Sequence, residues 1–250
     1  MKQRHFVEGL SNGQQLMAAI AQAENRAAPE KNWILVEGDP GFGKSRATTR
    51  AAVQKDARFV RAKAGWTPHW ALADLADVLS IPRRHRTEDL LRDIVIELMT
   101  RPRMLFVDEI DHAARTERVL ETLRDITDQT ECILVAVGMK SAQGLVKRFP
   151  QIFGRITRIV TFGPASFDDV KLMCTELTDV KIADDLIEEM RRRTGGKLRE
   201  VMDCIARVEA VGRKSRETVT LASWGNRPLL TEDRALASQS VTPLRAVSNG

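Results

Sequence analysis

The segment Gly38-Asp39-Pro40-Gly41-Phe42-Gly43-Lys44-Ser45 constrains this chain more than any other stretch of it. It fits G-x-x-x-x-G-K-[ST] at every fixed position. It also follows an apolar run, Trp33-Ile34-Leu35-Val36, and opens a run, Lys44 to Lys55, that reads as a helix, which is the context the motif requires. Glycines at 38, 41 and 43 let the backbone turn its N–H groups inward around phosphate oxygens. The helix N-terminus after Gly43 adds positive potential. Lys44 is then placed to reach the β- and γ-phosphates, the Ser45 hydroxyl to bind Mg²⁺, and Arg46 to flank them, so the expected ligands are ATP and Mg²⁺.

The rest of the chain agrees with the α/β fold that such a loop needs. Short β-rich runs alternate with amphipathic ones. Strands are expected at Trp33–Val36, around Phe59-Val60, at Met104–Val107, Cys132–Val137 and Ile156–Phe162. Between them, Leu72, Leu75, Ala76 and Leu79, and then Leu90, Leu91, Ile94, Val95 and Leu98, recur at helical spacing, and Val119–Ile126 also reads as helix. Continuous apolar strands separated by helices imply a doubly wound parallel five-stranded sheet covered on both faces, over residues 1–162. The pattern then changes. Residues 166–177, 183–193 and 197–213 read as three helices without strands between them, so a small helical domain is expected over 163–213. Ser166 and Asp169 form a capping-box-like start for its first helix. Residues Thr218–Trp224 read as a short strand, and 225–250 as a largely disordered tail within a 214–250 terminal segment.

Composition removes several classes. The 250 residues carry 39 Lys and Arg against 34 Asp and Glu, a net charge of +5. No apolar run approaches the ~20 residues of a membrane span. The first ten residues lack the apolar core of a signal peptide. Three cysteines, Cys132, Cys174 and Cys204, are far apart and odd in number, which fits a reducing cytoplasm better than a disulfide framework or a zinc cluster. The four histidines show no ligand spacing either. The basic excess is uneven: residues 44–103 hold 13 Lys and Arg against 7 Asp and Glu. An anionic polymer would first be sought there.

Met104-Leu105-Phe106-Val107 ends in Asp108-Glu109. Two acids at the carboxyl end of a buried strand lie on the ligand-binding edge of a parallel sheet. Asp108 is expected to hold Mg²⁺ through water, and Glu109 to polarise the attacking water. Asp111 and His112 extend this to a run superficially similar to helicase boxes. A two-motor helicase needs a second α/β domain, for which 250 residues leave no room, so these two read as polar residues of a turn.

Taken together, the phosphate loop, the Asp-Glu strand end, a fourth strand, an Arg-containing stretch and Thr194-Gly195-Gly196-Lys197-Leu198-Arg199 resemble the AAA+ ATPases. The resemblance implies a P-loop AAA+ domain followed by a helical lid. It puts Arg199 at the sensor 2 position, touching nucleotide phosphates. The segment Lys147–Arg155 occupies the place of the arginine finger, which acts on the next subunit's γ-phosphate and makes hydrolysis depend on a homo-oligomer; Arg155 is the first choice and Arg148 the second. One departure is visible: Val137-Gly138-Met139 lacks the Asn, Ser or Thr usual at sensor 1. Within AAA+, the chain looks most like the B-type transposition ATPases of Mu-like phages and related transposons. This likeness covers roughly residues 5–213 through Phe6-Val7, Asn12, Val137-Gly138 and Arg148-Phe149-Pro150. It implies ATP-dependent, sequence-non-specific binding of duplex DNA, assembly as a ring or helical filament, target selection in transposition, and a transposase as partner.

About 30 residues precede the first strand, so the likeness requires DNA contact from the ATPase core itself. Lys63 and the turn Arg83-Arg84-His85-Arg86 are the candidates, as backbone contacts without sequence readout. Arg191-Arg192-Arg193 is a rival cluster, although its position at a helix C-terminus already suits the helix dipole. Trp66 and Trp70, four residues apart, read as packing residues before stacking ones. Three other readings stay open: an AAA+ helicase loader or initiator, a nucleotide-gated scaffold that barely hydrolyses ATP, and a small-molecule kinase.

Overall fold

The computed structural model describes residues 9–215 and 217–230. Phe6-Val7 and most of the expected tail, residues 231–250, lie outside that range. The chain divides into two compact units at Gly163/Pro164.

The first unit runs α1 (Ser11–Glu24), β1 (Trp33–Gly38), α2 (Lys44–Gln54), β2 (Arg58–Arg61), α3 (Pro68–Val78), α4 (Thr87–Thr100), β3 (Leu105–Asp108), α5 (Ile110–Ala113), α6 (Glu117–Thr130), β4 (Leu134–Val137), α7 (Ala142–Val146), α8 (Pro150–Phe153) and β5 (Ile156–Phe162). The five strands form one sheet in the order β2-β3-β4-β1-β5, all neighbours parallel.

Alternation along the strands builds two cores. Trp33, Leu35, Leu105, Val107, Leu134 and Ala136 face one side, where α3, α4 and α6 contribute Leu72, Leu75, Leu90, Ile94, Val119 and Leu123. Ile34, Val36, Phe106, Val135, Val137 and Phe162 face the other, against Leu16, Ile20 and Ala23 of α1 and Ala51 and Ala52 of α2. A strand with apolar side chains on both faces can only be stable between two layers of helices. The doubly wound parallel sheet expected from the sequence is therefore the observed one.

Helix α1 was not anticipated. Leu16, Ala19, Ile20 and Ala23 give it a buried stripe. Asn12 ties its start to the end of β5, donating to the Gly163 carbonyl at 2.9 Å and accepting from the Gly163 N–H at 3.2 Å.

The second unit contains α9 (Phe167–Leu177), α10 (Asp184–Thr194), α11 (Leu198–Ser215) and α12 (Leu221–Trp224). Ser166 and Asp169 form the reciprocal capping box of α9. The strand expected over Thr218–Trp224 is a single parallel bridge, Ile182 with Val219, followed by helix. The reason is local: Thr220 and Ser223 cap each other's backbone N–H and start α12. Gly225–Leu230, expected in the tail, packs here. Leu229 is buried and its carbonyl accepts from Cys204, and the Trp224 indole donates to the Arg227 carbonyl at 2.9 Å. Cys132, Cys174 and Cys204 are free thiols, all buried. No helix among the described residues is long and apolar enough to cross a membrane.

Candidate nucleotide site

In a parallel sheet, ligands bind beyond the carboxyl ends of the strands, where neighbouring connections diverge. Here β1 lies between β4 and β5, and the loop from Gly38 to Gly43 leaves its carboxyl end for α2. Gly41 and Gly43 have φ of +93° and +86°, a left-handed geometry that a side chain resists. Phe42, between them, is buried and anchors the loop in the core beneath α2. Asp39 and Pro40 form its exposed tip, and Ser45 and Arg46 lie exposed in the first turn of α2.

The Lys44 ammonium donates to the carbonyls of Gly38, at 2.5 Å, and Asp39, at 3.0 Å. Partial burial pulls its pKa below the ordinary lysine value, while Asp108, Asp111 and Asp39 favour the charged form and oppose that fall. The phosphate loop and the carboxyl end of β3 thus share one electrostatic site.

Asp108 ends β3 and is buried. Its Oδ1 accepts from the Glu109 N–H at 2.9 Å, and its Oδ2 accepts from Arg61 at 3.3 Å. Glu109 takes a left-handed φ of +56° and turns the chain sharply into α5. Its carboxylate stands 3.7 Å from Arg61 Nε and 3.5 Å from His112 Nε2. The Nδ1 of His112 is buried without a hydrogen-bond partner. Arg61, the last residue of β2, is in register with Asp108 and bridges both acids. Sequence reasoning missed it because its only signal is that register, which no local spacing reveals.

Asp111 was also undervalued. Its Oδ2 accepts from the Met139 N–H at 2.7 Å, so it closes the end of β4. A Cβ on Gly138 would lie 2.7 Å from Asp111 Oδ2, 2.7 Å from Ala142 Cβ and 2.9 Å from Ile110 Cγ2. The close approach of α5 therefore leaves room only for glycine at position 138. Glu37, buried at the end of β1, accepts from the Gln143 N–H at 3.3 Å and steadies the start of α7.

The arginines separate into paired and unpaired. Arg155, the first choice for a finger, makes two 2.8 Å bonds to Asp128 of α6, and that carboxylate raises its pKa. It precedes β5, beside the amino end of β1, with its carbonyl accepting from the Trp33 N–H. Arg148 is exposed and makes no ion pair among the described residues. Arg199 is exposed in the first turn of α11, in the second unit.

The DNA candidates are all paired. Lys63 bonds Asp74 at 2.8 and 2.9 Å and sits 5.0 Å from the Trp70 ring centroid. Arg83 takes Asp77 in a two-point pair, Arg84 takes Asp93 at 2.8 Å, and Arg86 takes Glu88 at 3.3 Å. The expected phosphate track is thus charge-balanced by carboxylates of α3 and α4. In the rival cluster, Arg191 pairs with Glu188, and Arg192 and Arg193 with Glu189. Trp66 is buried and donates to Asp74 at 2.7 Å, whereas Trp70 is partly exposed.

Comparison with known proteins supplies the context. The family described as an AAA domain matches residues 28–146. No curated protein matches the chain. Among solved structures, the Aeropyrum pernix ORC1 protein in complex with DNA is similar over 94% of this chain and 66% of its own, at 17% identity and a TM-score of 0.61. The Aeropyrum pernix ORC2 protein, in ADPNP–ADP complexes, is similar over 84% and 66%, at 16% and 0.59. Cdc6p of Pyrobaculum aerophilum is similar over 85% and 65%, at 18% and 0.60. The chain spans just under two thirds of the length of these proteins. Residues 28–146, which run from β1 to α7 and hold both the phosphate loop and the paired acids, match the AAA domain family, and the fold is similar to that of the ORC1 and Cdc6 proteins.

Proposed function

We propose that this protein is a Mg²⁺-dependent AAA+ ATPase that acts on DNA as an initiator or helicase loader does. The observation that carries this reading is the convergence of Lys44, Asp108 and Glu109 at one end of the sheet, with Arg61 holding both acids. The donor set fits ATP with Mg²⁺: a left-handed glycine loop for phosphate oxygens, a lysine ammonium, a serine hydroxyl and a buried carboxylate. Ser45 and Asp108 would hold Mg²⁺, which would supply neutralisation of charge on the phosphates. Lys44 orients the phosphate oxygens. Glu109 orients a water and accepts its proton. Arg61 and His112 hold the Glu109 carboxylate in place.

The DNA reading is supported by similar structures that are complexes with DNA, the Aeropyrum pernix ORC1 protein and the Drosophila ORC among them. Transposition, with a transposase as partner, draws no support from those similarities and gives way to the initiator or loader reading.

The direct test is phosphate release with and without duplex DNA. Glu109→Gln should keep nucleotide affinity and lose ~10²–10⁴-fold in hydrolysis, the usual range for removal of a general base. Lys44→Ala should lose nucleotide binding. Wild-type protein that neither binds nor hydrolyses ATP would refute the proposal.

A further inference from the structure

We propose that the face carrying Arg115, Arg118, Lys140, Lys147 and Arg148 is the surface that grips the phosphate backbone of duplex DNA. This rests on the DNA-acting reading above and replaces the turn at 83–86 as the site of contact.

The five side chains are exposed and make no ion pair among the described residues. Lys63, Arg83, Arg84, Arg86 and Arg92 each face a carboxylate. The five come from three segments that the fold draws together. Arg115 lies in the turn between α5 and α6, and Arg118 in the first turn of α6. Lys140 precedes α7, and Lys147 and Arg148 follow it. Two hydrogen bonds tie these segments to one another. Asp111 on α5 accepts from the Met139 N–H, next to Lys140. Glu117, next to Arg118, accepts at 2.7 Å from Gln151, three residues past Arg148. Beneath them Ile110, Ala113, Val119, Ala142, Val146 and Ile152 share one core.

Three neighbouring acids, Asp111, Glu117 and Glu121, offset the five cations only in part and form no ion pair with them among the described residues. Asp111 is engaged by backbone, Glu117 by Gln151, and Glu121 makes no ion pair with Arg118. Net positive charge spread over three segments suits a polyanion with repeated charges better than a single phosphate group. An acidic protein partner would be expected to find an apolar or aromatic centre. Among the described large apolar side chains, Met139 is the exposed one on this face.

The test is a salt titration of the full chain, loaded with ATP, on a fluorescently labelled duplex of arbitrary sequence. In Arg115→Ala/Arg118→Ala/Lys140→Ala, the slope of log affinity against log salt should become shallower by ~2.7, at about 0.9 per phosphate contact removed. Affinity for a fluorescent ATP analogue should not change, which also reports an intact fold. Arg83→Ala/Arg84→Ala/Arg86→Ala should keep the wild-type slope. The reverse pattern, or polyglutamate competing as well as unlabelled DNA, would overturn the assignment. Wild-type binding with an unchanged slope in the first variant removes this surface alone. Wild-type protein that binds no DNA in any nucleotide state removes the DNA-acting reading itself, and this surface with it.

Discussion

Gly138 illustrates how a single position is set by its neighbours. In the family the chain resembles, a polar side chain usually stands at the end of this strand. Here any Cβ meets Asp111 and Ala142 at 2.7 Å, and Asp111 is itself fixed by the Met139 N–H. Gly138→Asn should therefore destabilise the protein by ~1–3 kcal/mol, the usual cost of overpacking, and should not accelerate hydrolysis. Chemical denaturation checks this; a variant as stable as the parent would mean that α5 moves aside freely. Arg61 makes the complementary point. Its partner Asp108 is 47 residues away in sequence, and only pairing of β2 with β3 brings them together. The loop residues 38–45 and the acids 108 and 109 were legible because their chemistry is local. Arg61 was not, because register is a property of the sheet.

At the scale of elements, α6 holds the start of β1 through polar groups as well as through its apolar stripe. The Trp33 indole N–H donates to Thr127 Oγ1 at 2.9 Å, and the Asn32 amide to the Thr127 carbonyl at 2.9 Å, both buried. Thr127→Val keeps the shape and removes the acceptor. A buried donor left unpaired costs ~1–3 kcal/mol, and in a protein of this size each kcal/mol lowers Tm by about 2–4 °C. Thr127→Ser should restore most of the loss; calorimetry showing Val and Thr equally stable would mean that the indole finds another acceptor. Elements with strong periodicity were read correctly from the sequence, α3, α4 and α6 among them. The short segment before α12 was misread as strand because β-branched Val219 and Thr220 suggest one. Thr220 and Ser223 cap each other instead, and the cap decides for helix.

For the whole molecule, charge pairing changes what the composition means. The basic excess of residues 44–103 is real in sequence, yet its arginines at 83, 84 and 86 face Asp77, Asp93 and Glu88. Exposed pairs of this kind stabilise little, about 0–1 kcal/mol each, but they cancel the field that would attract a polyanion. Cations that make no ion pair among the described residues, Arg115, Arg118 and Lys140 for example, lie elsewhere on the first unit. Nucleotide binding should also register globally. At a hundredfold excess over Kd, a ligand of the native state adds about 2.7 kcal/mol. ATP with Mg²⁺ should raise Tm for the wild type and leave Lys44→Ala unmoved; an equal rise in both would place the nucleotide outside the phosphate loop.

The amino-acid sequence by itself determined the α/β class, the parallel sheet, the phosphate loop and the paired acids. Each depends on residues within a few positions of one another: apolar alternation, helical spacing, glycines before a Lys-Ser. Only the tertiary structure decided the rest. It bridged Asp108 and Glu109 through Arg61, made position 138 too tight for a side chain, spent Arg155 on Asp128, and left Arg148 without an ion pair among the described residues. Those outcomes turn on which distant groups come within hydrogen-bonding reach once the sheet closes, and no spacing along the chain encodes that distance.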